Sequence, residues 1–153
     1  MQSPIPVAVA IFALLATGCS KPPADATAQN EKQFQEMMTG ATLVGHSTRF
    51  NKEGLAPGEE RYTIDKVSKL TGDTWLFQAR IQYGSHDLPL PIPLTVKWAG
   101  DTPVITLTDL KLPGLGTFTA RVLLYHDRYA GTWSGGDHGG ELFGKIERGH
   151  QKK

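Results

Sequence analysis

The chain has 153 residues, 39% of them hydrophobic and 20% charged, which suits one globular domain around one core. Sixteen Lys and Arg against fifteen Asp and Glu leave a formal net charge of +1, with no long run of either sign. This balance excludes the basic stripe that a nucleic-acid partner requires, and no basic cluster carries the interleaved aromatics of a single-strand groove.

The first element in chain order is an uncharged apolar run, residues 7–16 of MQSPIPVAVAIFALLATGCS. It is too short to span a bilayer and has the length of a signal-peptide core, although no Lys or Arg precedes it as the usual signal pattern requires. A buried N-terminal helix is the competing reading of the same run. Ala16-Thr17-Gly18-Cys19 resembles the bacterial lipobox. That resemblance implies that residues 1–18 are a signal peptide, that Cys19 is lipidated, and that the protein is exported and held to a membrane of the cell envelope through this anchor. Ser20 after the cysteine fits, by the same resemblance, an outer membrane with the domain facing the periplasm. Cys19 is the only cysteine, so the sequence has no disulfide within the chain, no Cys-rich metal site and no CxxC pair. Residues 19–30 are small, polar and rich in Pro and Ala, the composition of a flexible tether.

Residues 31–148 are expected to form a single β domain with a short leading helix. In AQNEKQFQEMMTG, residues 28–40, Phe34, Met37 and Met38 stand at i, i+3 and i+4 before a glycine stop, which predicts an amphipathic helix capping a core. The Met pair reads as gap-filling packing. From residue 41 the period becomes two. Trp75, Phe77, Ala79, Ile81 and Tyr83 share one face of DTWLFQARIQY, opposite Thr74, Gln78, Arg80 and Gln82. Similar alternation predicts strands near 41–50, 60–69, 74–83, 88–98, 103–109, 117–126, 128–134 and 141–147, separated by compact turn signals. The fold class is all-β, an antiparallel meander of about eight strands forming a small barrel or a partly open barrel or sandwich.

LPLPIPLTVKW constrains closure. Pro89, Pro91 and Pro93 alternate with an apolar face of Leu88, Leu90, Ile92, Leu94, Val96 and Trp98. Alternate residues of an antiparallel strand aim their N–H groups at the same neighbour, so these prolines delete donors toward one side. The strand can then pair normally with one neighbour, which predicts a sheet edge or a crossing between sheets in place of a perfectly closed barrel.

Gly139-Gly140-Glu141-Leu142-Phe143-Gly144-Lys145-Ile146 has the GxxxxGK spine of a phosphate loop, but Ile146 stands where Ser or Thr must meet magnesium and no βαβ context surrounds it. The five glycines of TWSGGDHGGELFGK are read instead as a wide or bulged terminal hairpin with Asp137 and His138 at its tip, the loop to inspect first for function. Gly131 and Gly144 within strands suggest bulges or close backbone approach, with Trp133 over one of them. His86-Asp87, His126-Asp127 and Asp137-His138 each join a base to a carboxylate, yet adjacency in a strand or turn does not make a dyad, and no metal-ligand spacing supports them. No GxSxG nucleophile elbow occurs, so no catalytic residue, cofactor or metal is assigned. Residues 149–153, with His150, form a polar tail.

Residues 58–84 and 100–146 resemble a family of short exported bacterial proteins of uncharacterised activity. The short helix, the strand meander and Gly131-Thr132-Trp133 before a terminal hairpin are also similar to lipocalin-type barrels. These resemblances bring no activity with them. The preferred reading of the residues is binding without catalysis: an apolar small molecule inside the domain, lined by Trp75, Phe77, Tyr83, Trp98, Phe118 and Trp133, or an envelope protein. Two alternatives stay open: a hydrolytic enzyme using the His-Asp pairs, and a structural envelope protein with a filled core.

Overall fold

A computed structural model describes residues 24–51, 54–83 and 85–148. The signal-like run, Cys19 and the polar tail lie outside these residues. One helix, α1 (Ala24–Met38), precedes eight strands: β1 (Ala41–Asn51), β2 (Gly54–Thr71), β3 (Thr74–Tyr83), β4 (His86–Ala99), β5 (Thr102–Leu112), β6 (Gly116–Tyr125), β7 (Arg128–Gly135) and β8 (His138–Arg148). Each strand pairs antiparallel with the next, and β8 returns to pair with β1, closing a barrel.

The alternation that predicted the strands is the alternation of inside and outside. Trp75, Phe77, Ala79 and Ile81 of β3 are buried, whereas Gln78 and Arg80 face solvent. Helix α1 begins at Ala24, within the stretch read as a tether, because the three alanines of ADATAQ are strong helix formers and Asp25 suits the positive end of the helix dipole. It ends at Gly40, whose φ of +73° is the left-handed stop. The Gly40 N–H then bonds the Ile64 carbonyl at 2.8 Å, and the Val67 N–H bonds the Thr39 hydroxyl at 3.2 Å, seating the helix across one end of the barrel.

The expectation that the prolines prevent closure needs correction. β4 pairs with β3 over residues 86–95, through all three prolines, but meets β5 over residues 95–99 alone. The Val96 N–H points to the Asp73 carbonyl beside β3, so the odd-numbered residues, prolines included, direct their N side toward β5. Pairing with β5 begins at Thr95, the first odd residue with a donor after Pro93. A bulge in β5 between Leu107 and Leu110 turns its second half, with Asp109 at φ +49° and its N–H held by the Thr119 hydroxyl at 3.0 Å. The prolines therefore shorten one seam without opening the barrel.

Four of the hairpins have two-residue loops built alike: Gly72-Asp73, Gly100-Asp101, His126-Asp127 and Gly136-Asp137, each with positive φ at the first position. The first three share the helix-covered end of the barrel, and the fourth lies at the opposite mouth. Positive φ at the first loop residue is the type II′ arrangement that matches strand twist.

Candidate functional site

An eight-stranded barrel is wide enough to be filled by side chains or to hold one small guest. Both occur here, in different halves. At the helix end, Phe34 and Met38 descend from α1 among Trp75, Phe77, Val67, Val96 and Leu124, all almost fully buried. The Phe34 ring meets Trp75, Trp98 and Phe77 edge to face, with centroids 5.1, 6.0 and 6.1 Å apart. Above the helix end the inward positions include the small residues Ala79, Ala120 and Ser47 and several glycines, and a cavity of about 230 Å³ remains. Phe77, Ile81, Ile105, Val122 and Leu142 form its walls, and Arg49, Phe118, Trp133 and His138 stand around its upper part.

The aromatics expected to line a pocket therefore divide. Phe77, Phe118 and Trp133 line the cavity, whereas Trp75 and Trp98 belong to the plug around Phe34. The backbone of Tyr83 ends β3, and its side chain lies outside those described. Alternation could not separate plug from lining, because both face inward.

The polar centre of the cavity is a group that the sequence reading did not single out. Glu60 of β2 is 5% exposed, yet it lines the cavity. The Tyr62 hydroxyl donates to its Oε2 at 2.8 Å and the Tyr129 hydroxyl to its Oε1 at 3.1 Å, and Ser47 adds a third side-chain hydrogen bond. Burial raises the carboxyl above its ordinary value, against the opposing pull of the three hydroxyls and of nearby His46. Burial likewise pushes the Tyr129 phenol upward, helped by the Glu60 charge.

Two glycines bring Tyr129 to Glu60. Tyr129 is opposite Gly144, Gly144 opposite Gly45, and Gly45 opposite Glu60, so the four form one rung across β7, β8, β1 and β2. A Cβ on Gly45 would lie 2.5 Å from the Tyr129 hydroxyl, and one on Gly144 would lie 2.7 Å from its ring. The tyrosine thus spans both strands because neither carries a side chain there. Trp133 repeats the device nearer the mouth. It is opposite Gly140, and its Nε1 crosses β8 to donate to the Thr48 carbonyl at 3.2 Å, where a Cβ on Gly140 would collide at 1.9 Å. The expectation of Trp133 over Gly131 or Gly144 is corrected: Trp133 lies over Gly140, Tyr129 over Gly144 and Gly45, and Gly131 is closed by the Arg121 carbonyl.

This also explains the glycine-rich hairpin. Only Gly136, at φ +62°, is required by the turn; Gly135, Gly139, Gly140 and Gly144 leave space that neighbouring strands or rings occupy. Residues 139–146 form one extended strand, so their GxxxxGK pattern cannot wrap a phosphate.

The His-Asp pairs do not gather into one cleft. His126-Asp127 is a turn at the helix end, with His126 occupying the position that glycine holds in the sister loops. Asp87, near the mouth, accepts two hydrogen bonds from Arg80, at 2.6 and 2.8 Å, which hold its carboxyl below the ordinary range. Asp137 and His138 contact each other, Nδ1 to Oδ1 at 3.2 Å, and the imidazole lies edge-on to Trp133 at 5.4 Å. His138 alone of these pairs lines the cavity. Among the described residues no three His, Cys, Asp or Glu side chains gather as a metal site, and no helix is long and apolar enough to cross a membrane.

The arrangement can hold an apolar guest and offer it a carboxyl flanked by phenols. Compared with protein-family models, with curated proteins and with solved structures, the chain matches none.

Proposed function

We propose that this chain is an exported, lipid-anchored protein of the cell envelope whose barrel binds a small apolar molecule without transforming it. The observation that carries the binding role is the cavity of about 230 Å³ above the aromatic plug. It exceeds the roughly 150 Å³ that stays dry and accepts a benzene-sized guest, and it falls below the roughly 300–1,000 Å³ of drug-sized sites. A single alkyl chain or one ring system matches that space. Its walls are apolar, with few polar groups converging on them, the usual composition of a ligand site.

The location rests on the sequence: the apolar run at residues 7–16 and the lipobox-like Ala16-Thr17-Gly18-Cys19. Calorimetric titration with n-octanol tests the binding role. Saturable one-to-one binding is expected, and Ala120→Trp, which fills the space, abolishes it; absence of saturable binding by the wild type overturns the reading. Cys19→Ala tests the anchor. The variant leaves the membrane fraction, and unchanged membrane association would refute lipidation as the means of attachment.

A further inference from the structure

We infer that the guest is a hydrophobic amine, an alkyl or aryl chain whose ammonium group pairs with the Glu60 carboxylate inside the barrel. This rests on the ligand-binding reading above and specifies the chemistry of the head group.

Glu60 is the one charged side chain that is buried among the described residues, and it faces the cavity. Its carboxylate has about four acceptor sites. The hydroxyls of Tyr62, Tyr129 and Ser47 take three, leaving capacity for another donor. No Lys or Arg forms an ion pair with it among the described residues. Accepting the Tyr129 hydroxyl where it crosses Gly144 and Gly45 needs only one oxygen, which a neutral amide also has. What a carboxyl adds is charge, and a buried charge without a partner is costly.

An ammonium supplies what the site lacks: a compact positive charge and up to three donors. The apolar remainder would lie against Phe77, Ile81, Ile105 and Leu142. A carboxylate ligand fits this position poorly, because two acids would share one desolvated site. The groups that face Glu60 or flank its cavity are Tyr62 of β2, Ser47, His46 and Arg49 of β1, Tyr129 of β7 and His138 of β8. Arg49 is four residues from Gly45 along β1, about 13 Å of strand, so an anionic head would be drawn to the mouth, away from the Glu60 rung.

The test titrates the full-length protein with n-octylamine, n-octanol and n-octanoate by calorimetry, in the wild type and in Glu60→Gln. The amine should bind the wild type at least about tenfold more tightly than the alcohol. Glu60→Gln should erase that advantage, bringing the amine and alcohol affinities within about twofold of each other. Octanoate binding as tightly as the amine, or amine affinity unchanged in Glu60→Gln, overturns the head-group assignment and leaves the cavity reading intact if octanol still binds. Failure of all three probes on the wild type overturns both. Should Glu60→Gln fail to fold, the order of the three affinities on the wild type decides the matter.

Discussion

The two ends of this barrel are built from the same alternating strands, yet one is solid and the other hollow. At the helix end, Phe34 enters among Trp75, Trp98 and Phe77, and little room remains. Around the cavity, alanine and glycine occupy inward positions, and the aromatic rings of Tyr129 and Trp133 lie along the wall without filling the lumen. Whether a small barrel encloses a core or a cavity thus depends on a few residue sizes at inward positions, and on one helix that supplies the stopper. The polar groups follow the same division. Glu60 is tolerated in the hollow half, where hydroxyls reach it and a guest can approach; nothing comparable is buried in the plug.

The largest effect should come from removing the stopper. Phe34→Ala is expected to destabilise the fold by about 3–5 kcal/mol in urea unfolding, because it deletes a buried aromatic at the centre of three ring contacts. A loss below about 1 kcal/mol would show that the two ends are less different than their packing suggests. Gly144→Ala attacks the wall of the hollow half. Its Cβ would stand 2.2 Å from the Val44 carbonyl oxygen, so the strands must shift, at a cost of about 1–3 kcal/mol, and Tyr129 should withdraw from Glu60. Unfolding measurements, together with the pH at which the Tyr129 phenol ionises, read both consequences.

Glu60→Gln gives a difference in slope. Burial raises the folded-state carboxyl above its unfolded value, so the folded protein retains a proton that the unfolded chain releases. Stability should therefore fall in the wild type as pH rises from the ordinary carboxyl range through the raised value, and Glu60→Gln should remove that part of the dependence. Identical pH profiles for the two proteins would show that Glu60 ionises in the barrel as it does in the unfolded chain. The smallest effect is expected at the helix-end turn. His126→Gly relieves a side chain held at φ +54° and should stabilise by about 1 kcal/mol or less, without changing ligand affinity.

Much of the fold was legible because its physics is local. Alternation marked the strands, and Gly-Asp pairs marked most of the tight turns. Closure was harder to read. The prolines do remove donors toward one neighbour, but the number of pairs that suffices to close a seam depends on how the strands meet, and residues 95–99 are enough. The candidate site was half legible. Phe77, Phe118 and Trp133 were named as aromatics and do line the cavity, whereas Trp75 and Trp98, named with them, serve the plug. Glu60 left a signal that was overlooked: it stands in phase with Tyr62 and Ile64, a carboxyl on an otherwise apolar face. Its link to Tyr129 spans 69 residues of sequence and depends on two glycines in different strands, so alternation within a strand could not reveal it.

The central claim, a hollow half above a solid plug, is tested most directly by mapping amide chemical shifts as n-octanol is added to isotope-labelled protein. The account predicts saturable shifts clustered at Ala79, Ile105, Ala120 and Leu142, which line the cavity, with Val67, Trp75 and Val96 in the plug unmoved. Shifts centred on the plug, or scattered over the outer faces of the strands without saturation, would contradict it.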